Sequence, residues 1–240
     1  MLKTYRGLIT GLALTTLLSG CNQQATAEDA VKLDNDTNKA SYAIGIQMGS
    51  QMAPLNDLLN QDAIIMGFKD SIAGKDPQLT MEEMQTVMQS FQQTVMEQQQ
   101  AKHMEAAGAN AEAGEKFLSE NKTKEGVKTT ESGLQYKVIT EGTGATPTET
   151  DTVVTHYTGT LINGEVFDSS YKRNSPATFP VNGVIPGWTE ALQLMKVGAK
   201  WKLFIPADLA YGEQGAGANI GPNEVLIFDI ELLEIKDKGE

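Results

Sequence analysis

Apolar positions recur along this chain with two different periods. From residue 37 to about residue 125 the spacing is helical. Met84, Val87, Met88, Phe91 and Val95 stand at i, i+3, i+4, i+7 and i+11, one stripe of a 3.6-residue repeat. No proline stands between Pro77 and Pro147, which leaves room for a long helix, and Thr80 with Glu83 forms a capping box at its start. Beyond Gln98 the stripe gives way to Ala, Glu, Gln and Lys, with Gly108 and Gly114 as weak points. That section is expected to cross solvent and to bend at the glycines. NKASYAIGIQMGSQM (38–52) and NQDAIIMGFKDSI (60–72) predict two shorter helices ahead of it.

From about residue 129 the period changes to two. SGLQYKVI (132–139), TVVTHYTGTL (152–161), EVFDSS (165–170), KWKLFIP (200–206) and EVLIFDIELLEI (224–235) read as strands, and Asn163-Gly164 is a hairpin signal. Among them VIPGWTEALQLM (184–195) places a Pro-Gly turn before a tryptophan that opens a short helix. One short helix against several antiparallel strands predicts an α+β fold for this half. The domain boundary is placed near residue 126, giving a helical domain over 37–125 and a strand-rich domain over 126–240.

The helical half has little to bury. Gly45 and Gly49 allow close helix approach, and eight of the ten methionines lie between residues 48 and 104. Methionine suits irregular small cores and adaptable interfaces alike. Because two short helices and one stripe supply little core, a self-associating module is the better physical solution.

The first twenty residues are of another kind. Lys3 and Arg6 precede the apolar run LITGLALTTLLSG and Cys21. This reads as a secretory signal, too short to span a bilayer. Its end, LSGC, resembles the lipobox of bacterial lipoproteins, which implies a lipidated Cys21 and attachment to the membrane without a spanning helix. Asn22 after the cysteine resembles the outer-membrane default of Gram-negative lipoproteins. Cys21 is the only cysteine, so no intramolecular disulfide can form. Residues 21–36 are polar and small and suit a flexible tether.

Net charge and the missing residue types narrow the chemistry. A charge of −12 argues against a nucleic-acid partner. The two histidines, His103 and His156, fall in different halves, and neither a metal-ligand cluster nor a nucleophilic triad is present in the sequence. The glycine-rich loop AYGEQGAGANIGPN (210–223) leads into a strand, the reverse of a phosphate cradle. What the second half has is aromatics near loops, a composition that favours an apolar ligand. Trp188 fits either a core plug or the floor of such a pocket. One reaction needs no nucleophile: rotation about an X-Pro amide has a barrier of roughly 18–20 kcal/mol set by C–N resonance. A dry apolar pocket removes part of the solvation that favours the planar ground state.

VTHYTGTLINGEVFDSS, NGVIPGWTEALQLMKVG, IPADLAYGEQG and PNEVLIFDIELLEI, in that order, resemble the FKBP-type peptidyl-prolyl cis-trans isomerases over residues 130–235. The preceding half is similar to the dimerisation module of the Mip and FkpA-like bacterial envelope members. The resemblance implies an isomerase without cofactor or metal. It implies Trp188 as pocket floor, Val184 and Ile185 as wall, and the Ile185 N–H as a holder of a substrate carbonyl. Tyr157, Phe167 and Phe228 become the aromatic sides, Phe179 joins the inner cluster, and Ile220 is an apolar flap residue. Tyr211 would hydrogen-bond ligand carbonyls. Asp168, otherwise a turn residue in FDSS, would polarise and orient near Tyr157 and Arg173. Ala177, Ala216 and Asn219 depart from the family pattern and thin the rim, which bears on specificity and drug affinity.

The implied protein is a homodimeric folding factor, lipid-anchored at Cys21 to the outer membrane and facing the periplasm. Its implied partners are unfolded proline-containing clients and, as inhibitors, macrolide immunosuppressants. The competing expectation is a holdase chaperone with incidental isomerase activity, favoured by the methionine-rich half. A structural lipoprotein spacer is the third.

Overall fold

The computed structural model describes residues 31–236. The signal segment and Cys21 lie outside the described residues, as does the first part of the tether. The chain forms two compact units, one ending at Asp76 and one beginning at Pro77.

The first unit holds α1 (Asp36–Met52), a 3-10 turn (Ala53–Leu58) and α2 (Gln61–Ile72). Both helices start on an asparagine side chain: Asn35 accepts from the Asn38 N–H and Asn60 from the Ala63 N–H. Neither helix has a buried residue. Tyr42, Ile44, Ile46, Ile65, Met66 and Phe68 are all about half exposed or more. A groove of about 580 Å³ runs between the two helices over Met52, Leu59, Ile64 and Ile65.

The second unit begins with α3 (Met81–Asn121), a single helix of 41 residues. Its start is the expected capping box, with Thr80 Oγ1 accepting from the Glu83 N–H and the Glu83 carboxylate accepting from the Thr80 N–H. Gly108 and Gly114 do not break it. The expectation of a solvent-crossing section after Gln98 holds only in part. Gly114 is buried against Val225, Phe117 meets the Phe204 ring at 6.0 Å, and buried Asn121 donates to Gln135 Oε1 at 2.9 Å. By contacts α3 therefore groups with the sheet that follows it.

That sheet has seven antiparallel strands: β1 (Val127–Thr129), β2 (Gln135–Thr140), β3 (Thr152–Thr160), β4 (Val166–Ser169), β5 (Ala177–Pro180), β6 (Lys200–Ile205) and β7 (Leu226–Lys236). The order is β1-β2-β6-β7-β3-β4, and β5 pairs with the first half of β3. One short helix, α4 (Pro186–Leu192), packs on the inner face. The α+β expectation matches this architecture. Alternation along β3 and β7 buries Val153, Thr155, Tyr157, Phe228, Ile230 and Leu232 on that face. The core closes over Leu192, Met195 and Leu203, each fully buried.

Gly187 lets α4 lie down on the sheet. A Cβ there would stand 2.5 Å from Ile205 Cγ2, so the helix approaches the strand by the width of a missing methyl. Pro186 occupies the first turn, where its absent N–H costs nothing. Pro186 and Gly187 thus belong to the helix itself and do not form a turn before it.

Candidate active site

Trp188, in the first turn of α4, is 4% exposed and surrounded by ring edges. Tyr157 meets it at 5.2 Å and 88°, Phe228 at 5.1 Å and 79°, and Phe179 at 5.9 Å and 86°. T-shaped contacts of this kind are worth about 0.5–1.5 kcal/mol each beyond burial. The indole N–H has no partner among the described residues, so packing rather than a hydrogen bond fixes the ring. Phe167 stands edge-on to Phe228 at 5.5 Å. Gly159 on β3 makes that pair possible, because a Cβ there would fall 2.5 Å from Phe167 Cζ and 2.8 Å from Phe228 Cε1.

These rings line a cleft of about 400 Å³. Nine of the eleven pocket residues singled out from the sequence line it: Tyr157, Phe167, Asp168, Phe179, Val184, Ile185, Trp188, Tyr211 and Phe228. Gly183 is the addition. Arg173 and Ile220 do not line the cleft. Arg173 reaches the site through Asp168, and Ile220 packs on the edge of the core. Tyr211 is 42% exposed at the mouth. The Ile185 carbonyl accepts the Trp188 and Thr189 N–H groups, while the Ile185 N–H makes no hydrogen bond among the described residues.

The polar wall is a three-residue cluster. Tyr157 donates its hydroxyl proton to Asp168 Oδ2 at 2.5 Å, and Arg173 Nη2 donates to the same phenol oxygen at 2.8 Å. Arg173 Nη1 also pairs with Asp168 Oδ1, which accepts the Ser169 N–H at 2.8 Å. Burial works to raise the Asp168 carboxyl, but the hydrogen bonds from Tyr157 and Arg173, with the guanidinium charge, outweigh it and hold it below the usual carboxylate value. Burial first, and then the Asp168 carboxylate, push the Tyr157 phenol up. Asp168 is therefore charged and occupied, a poor proton acceptor. The arrangement can bind and orient an apolar group beside a peptide carbonyl.

Sequence reasoning missed the support behind the mouth. The loop from Gly212 to Asn223 closes on itself through Ala216 and Ile220, and α3 holds it from the other side. His103 Nε2 donates to the Glu213 carbonyl at 2.9 Å, Asn110 Nδ2 donates to the Pro222 carbonyl at 2.8 Å, and Asn223 Nδ2 donates to the Ala107 carbonyl at 3.3 Å. Side chains that bond backbone carbonyls leave no spacing to read, so no sequence signal marks them.

Comparison with known proteins agrees with this geometry. A family model described as FKBP-type peptidyl-prolyl cis-trans isomerase matches residues 144–233. A second, described as the domain amino terminal to FKBP-type peptidyl-prolyl isomerase, matches residues 37–138. The chain is 46% identical to outer membrane protein MIP of Legionella longbeachae over 98% of each chain. It is 51% identical to the FKBP-type 22 kDa peptidyl-prolyl cis-trans isomerase of Escherichia coli (strain K12), covering 82% of this chain and 94% of that one. The crystal structure of FkpA from Escherichia coli superposes with a TM-score of 0.67 at 40% identity, over 85% of this chain and 99% of that one. The chain belongs to the FKBP-type peptidyl-prolyl cis-trans isomerases, in the group related to Mip and FkpA, and it is an enzyme of that class.

Proposed function

We propose that the Trp188 cleft catalyses X-Pro isomerisation by binding the prolyl ring on the indole, without covalent chemistry. The observation that carries this reading is the box of three ring edges around Trp188 with an unpartnered backbone N–H beside it. The planar amide carries negative charge on its carbonyl oxygen and is better solvated in water than the twisted one. Inside a dry aromatic cleft that advantage shrinks, and the barrier falls. The Ile185 N–H and the Tyr211 hydroxyl are suited to hold peptide carbonyls. Asp168, tied to Tyr157 and Arg173, orients and polarises that side of the cleft. Ala177, Ala216 and Asn219 leave an open rim, which suits varied partners and weakens contacts to macrolide immunosuppressants relative to an aromatic rim.

Trp188→Leu and Asp168→Leu test this. Each should lower kcat/KM for a proline tetrapeptide in a protease-coupled assay by at least about tenfold, equivalent to about 1.4 kcal/mol of transition-state binding. Unchanged activity in both would remove the assignment.

The rest of the chain fits a homodimeric envelope folding factor. Residues 37–125 serve as the helical domain, whose α1 and α2 carry the pairing, and residues 126–240 as the isomerase domain, with Cys21 as the lipid anchor at the outer membrane, facing the periplasm. The exposed apolar faces of α1 and α2 support the pairing, since a monomer would leave them in water. Two linked sites gain avidity for an extended client. The same faces favour a second reading, a holdase that shields unfolded clients. A variant lacking isomerase activity that still suppresses client aggregation would support it.

A further inference from the structure

The isomerase sheet has a second concave surface on its outer face. The β6–β7 register that sends Leu203, Ile205 and Phe228 into the core sends Lys202, Phe204, Ile227 and Asp229 the other way. Phe204 is nevertheless only 7% exposed, because the last turns of α3 lay Phe117 against it. Beside this contact runs a groove of about 370 Å³, within the roughly 300–1,000 Å³ of ligand clefts. The end of α3 and β1 form one bank, and the β3–β4 hairpin forms the other.

The floor of the groove is apolar and its rim is cationic. Phe117, Phe204 and Ile227 make the floor, Lys124, Lys137 and Lys202 stand around it, and no acidic side chain lines it. Lys137 and Lys202 are direct cross-strand partners, and the like-charge cost between them is offset in part by Asp229 on β7. Lys202 is held by Asp229 at 3.0 Å, and Lys124 rests over the Phe117 ring at 5.4 Å. Lys124 and Lys137 have no acidic partner among the described residues. In a chain of net charge −12, the two ammonium groups of Lys124 and Lys137, beside one apolar trough and without such a partner, mark local complementarity to a negative, partly apolar ligand. Screening over about 8 Å at physiological salt lets this local charge outweigh the distant acidic surface.

We propose that this groove is a second client-binding site, which takes an extended acidic segment carrying an aromatic or branched side chain. The apolar side chain lies on Phe117 and Ile227, and its flanking carboxylates meet Lys124 and Lys137. A peptide suits the shape better than a membrane surface does. Phe204 is buried and Phe117 and Ile227 are only partly exposed, so a single inserted side chain reaches this floor more readily than a flat bilayer does. The site faces away from the Trp188 cleft, so one client can hold a proline in the cleft and an acidic segment behind the sheet, each raising the effective concentration of the other.

The test is fluorescence anisotropy on the full chain with a labelled, proline-free peptide that alternates Glu with Phe and Leu. Lys124→Glu/Lys137→Glu reverses the rim, and Lys102→Glu/Lys196→Glu makes the same charge change elsewhere. The rim variant should bind at least about tenfold more weakly, while the distant variant stays within about twofold of the parent. Tetrapeptide isomerisation should stay within about twofold in both, which shows that the fold and the cleft are intact. Three results would overturn the proposal: unchanged binding in the rim variant, equal loss in both variants, or equal affinity for a peptide with Lys in place of Glu. Phosphatidylglycerol vesicles provide the last arm. Rim-dependent vesicle binding without peptide binding would overturn it in favour of an anionic surface.

Discussion

The sheet unit and the two leading helices solve the burial problem in different ways. Residues from Leu134 to Leu232 enclose a core in which Leu192, Met195, Leu203 and Leu226 lose all exposure. Helices α1 and α2 contain no buried residue, and their apolar side chains stand in water at 48–57% exposure where Tyr42, Ile44, Ile46 and Phe68 are concerned. At about 25 cal/mol per Å² of apolar surface, the first arrangement sustains a fold by itself and the second does not. The isomerase family match, residues 144–233, sits in the unit that has its own core. The proposed association draws on the apolar surface left over in the other.

The largest expected break in this comparison is at Gly187. Gly187→Ala gains about 1 kcal/mol of helix propensity. It also drives a methyl into Ile205 Cγ2, 2.5 Å away across the core. Overpacking costs about 1–3 kcal/mol, so the sheet unit should lose stability on balance and tilt Trp188 with it. Thermal unfolding and the tetrapeptide assay should fall together, and a stabilised, fully active variant would contradict the close approach.

Asn110→Ala sharpens the role of α3. It removes the bond to the Pro222 carbonyl, worth about 1 kcal/mol, and frees the loop that follows Tyr211. The expected result is a several-fold rise in KM for peptide with kcat nearly kept, read by steady-state kinetics. Equal losses in both constants would place Asn110 in the fold and not in loop positioning.

The smallest effect is on pH. Because the Asp168 carboxyl is held below its ordinary value of about 3.9, its contribution is present above that value and lost as pH falls through the folded one. The pH profile of kcat/KM should therefore stay flat from neutrality to about pH 4 before falling. An inflection at pH 5–6 would mean that another group controls the cleft.

Much of this was legible in the sequence. The Thr80–Glu83 box marked the start of α3 because a cap is a local bond, and the period-two runs marked β2, β3, β6 and β7. Strands β1 and β5 were not legible, since three and four residues are too few to show alternation. The aromatic residues of the cleft came from ordered blocks that resemble a family, and they line one concave surface here. The roles of Gly159 and Gly187 were hidden, because a glycine shows what the chain permits and not which side chain needs the space. The docking of α3 was hidden for a related reason: Ala, Glu and Gln after position 98 look solvent-bound until Gly114, Phe117 and Asn121 meet Val225, Phe204 and Gln135.

The division of labour is tested most directly by removing the first unit. Residues 77–240 should be measured at one concentration for mass in solution and for tetrapeptide turnover, beside the intact chain. The account predicts a monomer whose kcat/KM stays within about twofold of the intact protein. A truncated chain that remains dimeric, or one that is folded but loses turnover, would contradict it.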